Sequence, residues 1–212
     1  MIQHVYERAT ESEATEVIIA TDDDRIAQAA HLFGAEVCMT KVEHASGTDR
    51  LAEVVSRNHF YDDDIIINVQ GDEPCLPAAL INQVAQDLIL HKNADIATLY
   101  SAIDDEKHLF DSNVVKVTVD HAGYALTFSR APMPPLPRKL PHKRHVGLYG
   151  YRASFLKQYA ALKPCELEQA ESLEQLRALY HGKKIHLTEA KISAGHGVDT
   201  EADLAQVRHL LR

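Results

Sequence analysis

The sequence predicts an α/β fold with a mostly parallel sheet flanked by helices and a smaller β-rich part. Three observations predict it. The first half alternates short β-branched runs with helical stripes. One such run, Ile65-Ile66-Ile67-Asn68-Val69, ends in the stiff turn Gln70-Gly71-Asp72-Glu73-Pro74. The second half changes to alternating strands joined by a hairpin turn. Strand–helix alternation implies parallel strands joined by right-handed crossovers. A short run apolar on both parities implies a strand buried on both faces, in the middle of the sheet. Pro74 cannot continue a ladder. Asp72 is thereby placed at the carboxyl end of that strand, where open α/β sheets receive ligands.

Each element has its own signal. Ile2, Val5, Tyr6 and Ala9 make a helical stripe over residues 1–13. Val17 to Ala20 is a strand, closed by Asp22-Asp23-Asp24, which cap a helix from Arg25 to Phe33. Gly34 stops it. Glu36 to Met39 is a third strand candidate, after which a polar loop, His44 to Arg50, leads into a helix from Leu51 to Arg57. A helix from about Pro77 to Lys92 follows the Asp72 turn. Ile96 to Ile103, Val114 to Val119 and Tyr124 to Ser129 read as strands, the last two paired through Asp120-His121-Ala122-Gly123. Residues 131–144 carry Pro132, Pro134, Pro135, Pro137 and Pro141, with Arg138, Lys139, Lys143 and Arg144 and no acid. That composition predicts a basic, mobile loop. His145 to Tyr151 is a strand, followed by helices from Ala153 to Leu162 and from Leu167 to Tyr180, and a strand from Ile185 to Ala190. Thr200 with Asp203 forms a capping box that opens the last helix.

Composition narrows the function classes. The chain has 212 residues, enough for one large domain with a small appendage. The net charge of −9 argues against a nucleic-acid or membrane surface. An anionic substrate would need a metal or a local basic cluster to offset that field. Cys38, Cys75 and Cys165 are scattered and lack metal spacing, which points to a reduced, cytoplasmic protein. No apolar run is long enough to cross a membrane.

Several residues carry chemistry in one reading and ordinary structure in another. Asp72 is a ligand for a hard divalent cation or a plain turn carboxylate. Asp199 is a second such ligand or a helix-start residue facing the dipole. Asp22-Asp23-Asp24 and Asp62-Asp63-Asp64 have the Asp-x-Asp spacing of metal-dependent glycosyltransferases, but capping and solvated turns explain them better. His44, Ser46 and Gly47 face a base or ribose, or lie in a loop before a helix. His145 and Tyr149 share a parity and so a strand face. Glu174 and Gln175 lie beside Leu173, Leu176 and Leu179 and point at a ligand or at water.

Six ordered stretches then resemble one family. They are His44-x-Ser-Gly-Thr-Asp49-Arg50, Gln70-Gly71-Asp72-Glu73-Pro74, Tyr124-x-Leu-x-Phe-Ser-Arg130, Arg144-His145-x-Gly-x-Tyr149-Gly-Tyr151, Leu173-Glu174-Gln175-Leu176-Arg177 and Gly197-Val198-Asp199-Thr200-x-x-Asp203. Together they are similar to 3-deoxy-manno-octulosonate cytidylyltransferase, over essentially the whole chain. The resemblance implies a Rossmann-like, nucleotide-diphospho-sugar transferase-like fold. It implies transfer of CMP from CTP to Kdo, an eight-carbon acid sugar, with release of pyrophosphate, for lipopolysaccharide synthesis. It implies Mg²⁺, a cytoplasmic homodimer, and no nucleic-acid or membrane partner. Asp72 and Asp199 would hold the metal and be the catalytic pair. His44, Ser46, Gly47, Arg50 and Gln70 would bind the nucleotide. Arg130, His145, Tyr149, Glu174 and Gln175 would surround the sugar. Residues 1–212 would form one cytidylyltransferase domain: a nucleotide part at 1–95, a β-rich sugar and dimer part at 96–152, and C-terminal helices at 153–212. The family begins with a strand and a phosphate loop of the type Pro-Ala-Arg-x-x-Ser-x-Arg-Leu-x-Gly-Lys-Pro-Leu. Met1 matches the helix after that loop, so the strand and loop are expected to have no counterpart here. Other expectations remain beside this one: an acid sugar other than Kdo, such as 8-amino-Kdo, or a sugar-acid binding module without the triphosphate grip.

Overall fold

A computed structural model describes residues 1–133 and 141–211. The elements in order are α1 (Ile2–Thr10), β1 (Ile18–Thr21), α2 (Asp24–Leu32), β2 (Glu36–Met39), α3 (Gly47–Arg57), β3 (Ile65–Asn68) and α4 (Ala78–Leu90). Then come β4 (Ile96–Ala102), α5 (Glu106–Phe110), β5 (Lys116–Val119), β6 (Ala125–Ser129) and β7 (Lys143–Arg152). The chain closes with α6 (Ala153–Tyr159), α7 (Glu166–Glu171), α8 (Gln175–Tyr180), β8 (Ile185–Glu189) and α9 (Glu201–Leu210).

The α/β class holds, and the sheet is mixed. β1 and β2 pair in parallel as a two-stranded sheet. The other six strands form a second sheet in the order β6-β5-β7-β4-β8, with β3 joined to β7. β4 and β8 run parallel. The long β7 runs antiparallel to β3 and to β4. β3, β4 and β8 therefore share one direction, and their carboxyl ends lie at one end of the sheet.

Four expectations need correcting. β3 is not a central strand buried on both faces. Its ladder partner is β7 alone among the described residues, and all four of its residues are half-buried. An apolar run signals burial of side chains and says nothing about which edges are paired. The helix expected from Leu167 to Tyr180 is two helices, α7 and α8, because Ser172 takes a left-handed conformation with φ 52°. The helix expected from Leu51 starts at Gly47, since Ser46 caps it by accepting the Asp49 N–H at 3.1 Å. Lys143 and Arg144 belong to β7 rather than to the basic loop. Residues 134–140 of that tract lie outside the described residues.

Two large cores straddle the six-stranded sheet. One holds Tyr149, Tyr151, Phe155 and Tyr159 with Ile96, Phe128 and Leu176. The other holds Leu80, Val84 and Leu88 of α4 against Ala97, Leu99 and Leu148. A small third cluster, Ile19, Ala30 and Ala35, supports β1 and β2.

Candidate active site

The turn after β3 and the loop before α9 are built onto each other. The Val198 N–H donates to the Asp72 carbonyl at 2.8 Å. Gly195 adopts φ +84°, and a Cβ there would lie 2.5 Å from the Cys75 carbonyl oxygen, so only glycine lets the two backbones approach this closely. Asp72 and Asp199 are thus carried on adjoining segments. The helix-cap role is filled by Thr200, which accepts the Asp203 N–H, leaving Asp199 outside α9. Glu73 is the third carboxylate of the group. Burial, then the charges of Asp72 and Asp199, push it up to about 7, against the pull of Arg144.

A cavity of about 590 Å³ opens beside this turn. Its wall includes Ser46 and Gly47 from the start of α3, Gln70 from the turn after β3, His145, Gly147 and Tyr149 from β7, and Glu174 and Gln175 at the start of α8. Seven of the residues singled out in the sequence (Ser46, Gly47, Gln70, His145, Tyr149, Glu174 and Gln175) line this one cavity. Gln70 also lines a small crevice with Glu73, which joins the cavity to the carboxylate turn.

The wall's polar groups are held from behind. The Thr48 N–H donates to Glu174 Oε2 at 3.2 Å, and the Thr48 and Tyr151 hydroxyls meet at 3.0 Å. Thr98 Oγ1 donates to the Leu148 carbonyl at 2.8 Å, so it accepts from His145 Nε2, 2.9 Å away. That assigns the His145 proton to Nε2 and leaves Nδ1 as an acceptor. Burial pushes His145 down to about 3, so the ring is neutral. His145 and Tyr149 meet with ring centroids 5.1 Å apart, as their shared parity implied. Burial raises the Tyr149 hydroxyl well above its ordinary range, so it acts as a neutral donor. Gln175 Nε2 is buried with no hydrogen-bond partner among the described residues. A donor desolvated in this way is satisfied by a ligand oxygen.

Some expected residues sit elsewhere. His44 is bonded to Glu53, and Arg50 to Thr40 and to Asp22 at 3.4 Å, so neither lines the cavity. Arg130 donates to the carbonyls of Glu171 at 2.7 Å and Ser112 at 2.8 Å, bracing the break between α7 and α8 rather than lining the wall. The Asp-x-Asp runs do ordinary work: Asp23 caps α2, and Asp62 pairs with Lys157 at 2.7 Å.

Sequence reasoning missed the support of the α8 wall. Arg177 is 5% exposed and binds Glu168 through Nε and Nη2, the latter at 2.6 Å. It also reaches Asp49 at 3.1 Å, whose other carboxylate oxygen accepts from Ser46 Oγ at 2.7 Å. One buried guanidinium therefore ties the α7–α8 wall to the Ser46 turn. The only signal for it was an arginine in an otherwise apolar helix face.

A family profile described as "Cytidylyltransferase" matches residues 1–185. The chain belongs to the cytidylyltransferase family. As a member it is a nucleotidyltransferase enzyme. Among curated relatives, the 3-deoxy-manno-octulosonate cytidylyltransferase of Nitrosococcus oceani is 53% identical, covering 100% of this cytidylyltransferase and 86% of the relative. That of Pseudomonas syringae pv. syringae is 50% identical, covering 100% and 87%. A solved structure of CMP:2-keto-3-deoxy-manno-octonic acid synthetase in complex with CTP superposes with a TM-score of 0.92 at 42% identity, covering 99% of this chain and 86% of that one. A 4-diphosphocytidyl-2C-methyl-D-erythritol synthase structure shares the fold alone, with a TM-score of 0.66 at 14% identity over 100% of this chain and 89% of that one. Among the described residues, no helix is long and apolar enough to cross a membrane.

Proposed function

We propose that this cytidylyltransferase transfers CMP from CTP to 3-deoxy-D-manno-octulosonate, giving CMP-Kdo and pyrophosphate. One observation carries the reading. The Asp72 and Asp199 segments are bonded together beside a cavity lined by Ser46, Gly47 and Gln70 together with His145, Tyr149, Glu174 and Gln175. A lining so rich in polar groups suits a nucleotide and a polyhydroxy acid meeting beside the carboxylates.

In the reaction, the sugar's anomeric hydroxyl oxygen attacks the α-phosphorus of CTP. The bond from that phosphorus to the leaving pyrophosphate breaks. The residues present fit a divalent cation: Asp72 and Asp199 lie on bonded segments, and burial followed by their two charges raises Glu73 to about 7. Asp72 and Asp199 would hold Mg²⁺, which when bound neutralises charge on the phosphates. The chain's own groups position the sugar. His145 Nδ1 accepts from a hydroxyl, the neutral Tyr149 hydroxyl and Gln175 Nε2 donate, and Glu174 accepts. The Gly47 and Ser46 turn faces the nucleotide, with Arg177 setting its place from behind. His44 and Arg50 act through the shape of that turn. Arg130 acts on the sugar wall by bracing it. A homodimer in the cytoplasm fits this reading, with free thiols at Cys38, Cys75 and Cys165.

The test is pyrophosphate release from CTP over a panel of acid sugars including 8-amino-Kdo. Turnover is expected with Kdo preferred, to vanish with EDTA and to return with Mg²⁺. Asp72→Ala and Asp199→Ala should each lower kcat on the order of a hundredfold or more. Undiminished turnover in both variants would remove the metal assignment. Sedimentation at micromolar concentration reads the dimer.

A further inference from the structure

A second cluster of ligating groups lies at the other end of the molecule. β3, β4 and β8 point their carboxyl ends toward the Asp72 turn, whereas His186 is the second residue of β8, near its amino end. α4 starts after the Asp72 turn and runs back along the sheet, so its last turn and His91 arrive at the same far end. There Asp87 Oδ2 lies 2.7 Å from His186 Nδ1, and His91 Nδ1 lies 3.0 Å from both Asp87 Oδ1 and the Asp87 carbonyl, so an ion would displace a proton from each near nitrogen. One ligand atom from each of the three residues falls within 4.8 Å of the others. The two imidazoles stack with centroids 3.6 Å apart, which sets their nitrogens on one side of the same carboxylate.

A second observation fixes which nitrogen of His186 is offered. His186 Nε2 lies 3.1 Å from the Ala122 carbonyl, an obligate acceptor, so Nε2 carries hydrogen. In a metal-bound form the far N–H keeps its backbone carbonyl, and the ion displaces the proton that Nδ1 shares with Asp87 Oδ2. The contact is built in, because a Cβ on Gly123 would lie 2.7 Å from Nε2. Asp87 is 4% exposed and His186 4% exposed, so the two ligands are withdrawn from competing water. The His91 side chain is 35% exposed and forms the mouth.

We propose that Asp87, His91 and His186 form a second metal site, for a borderline divalent ion of the zinc class. Two imidazole nitrogens and one carboxylate suit such an ion and disfavour Mg²⁺, which demands oxygen ligands and octahedral geometry. Three protein ligands leave the fourth tetrahedral position to water at the His91 edge. The ion would clamp α4, β8 and the β5–β6 turn together, far from the reacting phosphates. The inference is independent of the sugar or nucleotide used.

The experiment uses the full chain carrying Asp72→Asn and Asp199→Asn, which removes the carboxylate turn as a competing site. The metal-free protein is titrated with Zn²⁺ and, separately, with Co²⁺ and Mg²⁺. His91→Gln in the same background is the comparison, because His91 follows the end of α4 and is partly exposed, and its folding is verified by circular dichroism. One equivalent of Zn²⁺ is expected, with a Co²⁺ visible spectrum of a four-coordinate, nitrogen-ligated ion, and a thermal midpoint that rises with Zn²⁺. His91→Gln should weaken Zn²⁺ by at least about tenfold and abolish the midpoint rise. Zn²⁺ uptake equal in the two proteins, no stoichiometric uptake in either, or Mg²⁺ binding as tightly as Zn²⁺ would each overturn the proposal.

Discussion

His145 shows how burial turns a titratable residue into a fixed one. In an unfolded chain its pKa is about 6.5. Folding pushes it down to about 3, through burial against β4 and Phe128. Between those values the unfolded chain holds a proton that the folded chain refuses. Stability from this group is therefore complete above pH 6.5 and declines as pH falls toward 3, by up to about 1.4 kcal/mol per unit. One edge of the ring faces the cavity, so solvent trims that slope. Urea unfolding at pH 7 and pH 5 should show a smaller loss in His145→Gln than in the parent chain; equal losses would refute the assignment. Arg177 makes the complementary case. It is buried with Glu168 and Asp49 around it. Glu168→Gln leaves the guanidinium short of one charge and should cost about 3 kcal/mol in urea unfolding. The same change should raise the KM for the sugar more than that for CTP, since it loosens α7 and α8. The sequence made the histidine legible as a strand residue on a shared face. It left Arg177 illegible, because its partner Glu168 lies across a helix break that only Ser172's left-handed turn creates.

At the scale of elements, β7 organises the site. It pairs with β3 and β4 and contributes His145, Gly147 and Tyr149 to the cavity. Its register against β4 shifts between Thr98 and Leu99, where Tyr149 and Val146 are the successive partners. That irregularity lets Gly147 and Leu148 bulge toward the cavity and its crevice. Below them, α4 packs against β7 at Gly150. A Cβ at that position would lie 2.7 Å from Val84 Cγ1, 3.0 Å from Ile67 Cδ1 and 3.1 Å from Leu88 Cδ1. Gly150→Ala should therefore lower stability by about 1–3 kcal/mol, read as a reduced urea midpoint with an unchanged slope. A neutral result would show that α4 can move away, and that the α4–β7 contact is looser than described. The antiparallel role of β7 was not legible, since its alternating pattern fits either direction of pairing. The Thr200–Asp203 capping box and the hairpin were legible, because they depend on residues two to four apart.

At the scale of the whole molecule, the two sheets differ in support. β1 and β2 rest on Ile19, Ala30 and Ala35, whereas the six-stranded sheet has large cores on both sides. β1 has β2 on one edge and no ladder partner on the other among the described residues. Local opening follows buried apolar contact and paired backbone. Amides of Ile18–Thr21 and Glu36–Met39 should exchange well before those of Ile96–Ala102 in hydrogen-exchange mass spectrometry. Equal protection would mean that α1, α2 and α3 hold the small sheet as firmly as the cores hold the large one. CTP at saturating concentration should slow exchange at the Ser46 turn first, as the cavity wall nearest this sheet.

By itself the sequence determined the α/β class, most element positions, the Asp72 turn and the resemblance that gathers seven cavity residues. These are properties of short windows or of ordered motifs, and periodicity and turn chemistry act over a few residues. Only the tertiary structure decided that β3 pairs with an antiparallel β7, that Asp72 and Asp199 are carried on bonded backbones, and that Arg177 joins two walls. It alone brought Asp87 and His91 to His186, about a hundred residues away in the chain. Contacts of that separation depend on which faces the cores choose to bury, and no local pattern encodes that choice.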